Sequence, residues 1–189
     1  MKIGVIGAGA IANFLFKKIN EQQQDNLRIN SVFVRNKEKY EHLESKYNVN
    51  LYTDLNEFLD SDIDIVVEAA NITTVECLLP AVLKKKDAVV ISIGAFAEST
   101  LLTEVSNLIS EYNNNVYLPS GAIGGLDLLQ NAQALGAVDK VTLTTRKPAK
   151  TLIEKEITDE RVIFEAKAVD PINVFPRNMN VSFPCWTWN

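Results

Sequence analysis

Lys2-Ile3-Gly4-Val5-Ile6-Gly7-Ala8-Gly9-Ala10-Ile11-Ala12 opens as a short apolar run, breaks into small residues and then turns amphipathic. Residues 2–6 read as a buried strand. Residues 10–20 carry Ile11, Phe14, Leu15 and Ile19 at helical spacing. The loop between them, Gly7 to Ala12, fits G-x-G-x-x-G/A. In that pattern the first glycine makes the tight turn and the second lets the backbone approach a pyrophosphate. The third small residue, here Ala12, lets the helix pack on the strand. An anion placed there meets the helix N-terminus, with the amides of Ala10 and Ile11 in the first turn and the favourable end of the dipole. The motif alone is weak. A strand before it, a helix after it and a second strand at the right distance make it a dinucleotide site. The same stretch superficially resembles a signal peptide, but its glycine turns suit a phosphate loop better.

Outward from this loop, apolar runs alternate with helical patterns. Strands are expected at 28–34, 49–52, 64–68, 88–93 and 116–118. Helices are expected at 37–47, 54–59, 73–85 and 99–112. Strict alternation of this kind is the pattern of an α/β fold with a doubly wound parallel sheet, the Rossmann arrangement. Lys84, Lys85 and Lys86 end one helix, where cations suit the dipole. The texture changes near Pro119. A helix at 126–135 is followed by Thr-rich or alternating runs at 140–145, 153–156 and 161–168, with a turn at 158–160, which read as antiparallel strands. The expected organisation is a dinucleotide-binding domain over 1–119 and a smaller, incomplete α+β domain over 120–189.

Composition narrows the function. The chain has 189 residues, 47% of them hydrophobic, which excludes wholesale disorder. Its net charge of −5 argues against a nucleic-acid binder. One histidine, His42, and two distant cysteines, Cys77 and Cys185, give no metal-ligand spacing, so no metal site is expected. The thiols read as reduced, Cys77 as a small apolar residue on a helix. No apolar run has the length of a membrane span. A cytoplasmic protein is the expected setting, with no nucleic-acid or membrane partner.

The chemistry-bearing positions gather at strand ends. The acidic residue that accepts from the ribose 2′-OH of NAD is absent about 20 residues after the glycine loop. Val34, Arg35 and Asn36 stand there instead. Arg35 can face the 2′-phosphate of NADP, stack on adenine, or point to solvent. NADP is therefore expected to serve at least as readily as NAD. Ala69, Ala70, Gly94 and Ala95 are small residues ending two neighbouring strands, where open α/β sheets bind ligands. Ser120, Gly121 and Gly124 precede a helix and can offer amides to a carboxylate. Arg146 or Lys147 can pair with a substrate carboxylate, or can simply mark an exposed strand end. Asp127 in a first helical turn is explained by the dipole alone. Glu68 can touch ribose or satisfy a backbone amide. His42, in a charged helix far in sequence from these motifs, reads as a surface residue.

Four stretches carry a resemblance: Gly7 to Ala12; Val66-Val67-Glu68-Ala69-Ala70; Ser92-Ile93-Gly94-Ala95-Phe96-Ala97; and Leu118-Pro119-Ser120-Gly121-Ala122-Ile123-Gly124-Gly125-Leu126-Asp127. Thr144-Thr145-Arg146-Lys147-Pro148 and Phe175-Pro176-Arg177-Asn178-Met179-Asn180-Val181 follow. In order and spacing these resemble L-aspartate dehydrogenases, relatives of the dihydrodipicolinate reductases. The resemblance implies oxidation of L-aspartate to iminoaspartate with NAD or NADP in NAD biosynthesis, or the reverse amination of oxaloacetate with ammonia. It also implies a homo-oligomer, and it places Ala122 and Asn180 against the cofactor near the nicotinamide.

The match breaks at the end. The family's catalytic histidine follows the Asn-x-Asn-Val motif, and no residue of this sequence corresponds to it. Ser182-Phe183-Pro184-Cys185-Trp186-Thr187-Trp188-Asn189 stands where the family continues with Leu-Ser-Leu-Ala-Gly-x-Gly. One permitted codon choice for these residues, read one base later, encodes Leu-Ser-Leu-Ala-Gly-Leu-Gly. The expectation is a frameshifted, C-terminally truncated dehydrogenase that keeps cofactor binding and loses most aspartate turnover. A short paralogue with a diverged end competes with it. A non-catalytic dinucleotide-binding protein and an imine or dihydrodipicolinate-type reductase are the alternative functions.

Overall fold

The computed structural model describes residues 1–23, 26–121, 124–142 and 144. It divides into two compact units, Met1–Pro119 and Ser120–Asn189. The first unit holds β1 (Lys2–Ile6), α1 (Ala10–Phe16), β2 (Arg28–Phe33), α2 (Lys37–Tyr40), α3 (His42–Tyr47), β3 (Asn50–Tyr52) and α4 (Leu55–Asp60). It continues through β4 (Ile65–Glu68), α5 (Ile72–Leu83), β5 (Asp87–Val90), α6 (Ser99–Tyr112) and β6 (Val116–Tyr117). The strands form one six-stranded sheet in the order β3-β2-β1-β4-β5-β6. Every neighbouring pair is parallel. This is the doubly wound Rossmann order, and the chain reverses its winding between β1 and β4.

Two cores flank the sheet. On one side Ala12 and Phe16 of α1 and Leu43 and Tyr47 of α3 pack with Ile3, Val5, Ile29 and Leu51. On the other, Phe58 of α4, Leu79 and Val82 of α5 and Val105 of α6 pack with Ile6, Val66, Ala88 and Val90. Burial of both strand faces explains why residues 64–68 show no polar alternation. Gly4 lies under α4, where a Cβ would come within 2.6 Å of Ile63 Cδ1 and 2.7 Å of Phe58 Cζ. The absent side chain lets the helix layer sit down on β1.

In the first unit the elements differ from their expected bounds by more than a residue or two in three places. The first helix ends in a wide π turn, Lys17–Glu21. There the half-buried Asn20 donates to the carbonyls of Ile29 and Tyr47 and accepts from the Ile29 amide. The helix expected over 37–47 is divided at Glu41 into α2 and α3. The strand expected over 88–93 stops at Val90, and Ile93–Ala97 forms a 3-10 turn. The Ser92 amide leaves the ladder for the Glu68 carboxylate, so pairing ends there.

In the second unit α7 (Leu126–Ala134) begins at Gly125, whose φ is +71°, in the left-handed region open to glycine. It ends in a Schellman motif, with the Gly136 and Ala137 amides donating to Gln133 and Ala132. Residues 140–142 and 144 are not in a strand, contrary to expectation. A strand needs a partner for its backbone groups. The segments expected to pair with it, 153–156 and 161–168, lie outside the described residues. Among the described residues no helix is long and apolar enough to cross a membrane.

Candidate cofactor site

The carboxyl ends of β2, β1, β4 and β5 are adjacent in the sheet. Gly7, Gly9, Ala10 and Ile11 follow β1, and Arg35 follows β2. Ala69 and Ala70 follow β4, and Gly94 lies in the 3-10 turn after β5. The topology thus gathers these eight positions along the crevice where ligands meet open α/β sheets.

Gly7 is demanded twice. Its φ is +107°, and a Cβ would lie 2.8 Å from the Ala69 carbonyl oxygen. The turn that leaves β1 is therefore pressed against the turn that leaves β4. Its amide donates to the Phe33 carbonyl at 3.0 Å, tying the loop to β2 as well. Gly9 differs. Its φ is ordinary, −77°, and a Cβ there would meet nothing within 4 Å. The fold therefore does not require a glycine at this point. Gly9 also begins α1 without any side-chain cap. By contrast Asn36, Asp54 and Asn71 each cap their own helix at 3.0 Å. No side chain takes the first-turn amides of α1 among the described residues. Ala10 and Ile11 there are exposed.

Asn13 completes this geometry. Its side-chain amide donates to the carbonyls of Ala8 at 3.0 Å and Gly9 at 2.9 Å. Both carbonyls are thereby occupied by a side chain of α1. Sequence reading missed Asn13; an amide side chain one position past the small-residue loop is its signal. Arg35 is exposed and makes no ion pair among the described residues. Asn36 beside it is committed to capping α2. Of the two, the guanidinium is the group left to meet a ribose or its phosphate.

Across the crevice, Glu68 is only 4% exposed. Its carboxylate accepts from the Ala70 amide at 2.8 Å, the Ser92 amide at 2.9 Å and the Ser92 hydroxyl at 3.0 Å. Of its two sequence readings, the backbone-amide one holds. Ala69 is buried, Ala70 exposed and Gly94 half-buried.

Other positions are not brought together here. Ser120 and Gly121, both exposed, belong to the second unit, where Gly121 has φ +64°. Ala122, Arg146, Lys147 and Asn180 lie outside the described residues. His42 is exposed on α3, in a surface dent with Glu38, Glu41, Glu44 and Ser45. Cys77 is an exposed free thiol on α5.

A 3-2-1-4-5-6 parallel sheet with an uncapped glycine loop at its switch point defines a class, the Rossmann-type NAD(P)-dependent oxidoreductases. Comparison with known proteins refines it. Residues 7–119 match the family described as homoserine dehydrogenase, NAD binding domain, and residues 127–185 match aspartate dehydrogenase, C-terminal. L-aspartate dehydrogenases of Methanococcus maripaludis and Methanocaldococcus jannaschii are each 34% identical over 96% of this chain and 72% of their own length. The crystal structure of aspartate dehydrogenase from Thermotoga maritima shares the fold, with a TM-score of 0.66 at 23% identity over 96% of this chain and 70% of that one. The chain belongs to the L-aspartate dehydrogenase family.

Proposed function

We propose that this chain binds NAD or NADP across the crevice and acts on L-aspartate. A hydride leaves the substrate Cα for the nicotinamide and a proton leaves the amine, giving iminoaspartate. Water then yields oxaloacetate and ammonia, and the reverse direction aminates oxaloacetate. The cofactor supplies the hydride acceptor; the chain supplies the seat. Gly7 sets the turn, Gly9 admits the pyrophosphate, and the Ala10 and Ile11 amides hold it. Arg35 faces the adenosine ribose, and Ala69, Ala70 and Gly94 leave room for the nicotinamide half. Ala122 and Asn180 would add contacts near the ring. Ser120, Gly121, Arg146 and Lys147 would receive the substrate carboxylates. This division assigns the cofactor to 1–119 and the substrate to 120–189. A cytoplasmic homo-oligomer serving NAD biosynthesis accords with the family.

The observation that carries the reading is Gly9: an uncapped helix start with open space where a side chain would stand. Its chemistry fits a pyrophosphate and needs nothing else from the fold. The test takes binding and substrate choice separately. The expected result is saturable NAD(P)H binding by fluorescence, with L-aspartate the amino acid that drives NAD(P)H formation in a panel of amino acids. Absence of binding contradicts the first half of the proposal, and NAD(P)H formation driven by another amino acid instead contradicts the second.

A further inference from the structure

We infer that Glu68 is a positioning residue for the nicotinamide half of the cofactor, an inference that rests on the dinucleotide reading above. A carboxylate that is 4% exposed, with no cationic partner within ion-pair distance among the described residues, is expensive to keep. It is retained by three hydrogen bonds, all from the loops that follow β4 and β5. Those loops carry Ala69, Ala70 and Gly94, the small residues at the strand ends.

Two of the three bonds cross from one strand's loop to the other's. One oxygen of Glu68 accepts from both Ala70, on its own loop, and the Ser92 hydroxyl, 24 positions on. The other accepts from the Ser92 amide. Beneath them the Glu68 carbonyl accepts from the Ile91 amide at 3.3 Å, the last rung joining the two strands. Past that rung the carboxylate is what fixes the β4 loop against the β5 loop. The glycine loop has its own anchors, Gly7 to Phe33 and Asn13 to Ala8 and Gly9. In a doubly wound sheet one half seats each mononucleotide. The adenosine half, with Arg35 and the glycine loop, does not depend on Glu68. The nicotinamide half does.

Glu68→Gln tests this. Glutamine keeps the shape and one carbonyl oxygen, but turns an NH₂ group toward an amide that needs an acceptor. The full chain is titrated with NADPH and with 2′-phospho-ADP-ribose, which lacks the nicotinamide ring. The expected result is about tenfold weaker NADPH binding, as one unsatisfied buried amide costs, with under about a twofold change for the fragment. The emission of bound reduced nicotinamide should also shift toward that of free NADPH. Equal weakening of both ligands means a merely structural role and overturns the inference, as does no weakening of either. A wild-type chain that binds neither ligand overturns the cofactor reading and this inference with it. If the glutamine variant does not fold, Ser92→Ala removes one of the three bonds. It should weaken NADPH about threefold and spare the fragment, and a parallel change in both ligands is again decisive against the proposal.

Discussion

The two sides of the crevice are built on opposite plans. On the β1 side α1 starts at a glycine, with no side chain capping its first-turn amides. On the β4 and β5 side the chain's own side chains take loop amides: Asn71 caps α5, and Glu68 takes the amides of Ala70 and Ser92. Open amides suit an anion that arrives with the ligand. Amides already satisfied by a buried carboxylate are not free to receive an anion. A dinucleotide presents both needs at once, an anionic pyrophosphate joined to a nicotinamide nucleoside that carries no negative charge. The difference between the two sides teaches more about the ligand than either side alone.

The largest expected effect comes where the two sides touch. Gly7→Ala places a Cβ at φ +107° and 2.8 Å from the Ala69 carbonyl oxygen. Strain of about 1–3 kcal/mol adds to overpacking of about 1–3 kcal/mol, a loss of roughly 2–6 kcal/mol in denaturant unfolding. A loss under about 1 kcal/mol would mean that the two turns are not pressed together. A smaller effect is confined to the open side. Arg35→Ala should weaken NADPH about tenfold while leaving NADH within about twofold, since only the former carries a phosphate for the guanidinium. Equal effects on both would place Arg35 over the adenine or in solvent.

The smallest sharpens the closed side by contrast. Glu44 also holds a backbone amide, accepting from Leu51 at 3.1 Å, but at the surface beside Lys37. The Leu51 amide first, and Lys37 after it, keep its carboxyl below the ordinary value of 4.5. A carboxyl lowered on folding stabilises the native state above its unfolded value, and that contribution fades as the pH falls through the folded one. Glu44→Gln should cost about 0.5 kcal/mol or less near neutral pH, with the gap closing in acid, and should leave cofactor affinity unchanged. An affinity loss like that expected for Glu68→Gln would show that any carboxylate–amide bond suffices.

What could be read from residues alone divides along the same line. The strand, glycine loop and helix at residues 2–20 are legible because each step depends on the residue itself: Gly7 on φ, Gly9 on the lack of a side chain, Ile6 and Ala12 on burial. The position of Arg35 follows from spacing. The early end of β5 at Val90 is not legible, because Ser92 leaves the ladder for a carboxylate 24 positions earlier. The π turn around Asn20 likewise depends on partners distant in sequence. Asn13 left a local trace, an amide side chain in reach of the loop carbonyls. Glu68 left one too, an acid ending an apolar parallel strand, but which groups it satisfies is known only from the fold.

The central claim is that the open side receives a pyrophosphate, and Gly9→Ala tests it most directly. A methyl at Gly9 meets no atom of the protein within 4 Å, so stability should stay within about 1 kcal/mol of wild type. The same methyl would stand between the backbone and the pyrophosphate, so NADPH affinity by calorimetric titration should fall about tenfold or more. Wild-type affinity in a stably folded Gly9→Ala variant would contradict the account, because the cofactor would then lie elsewhere.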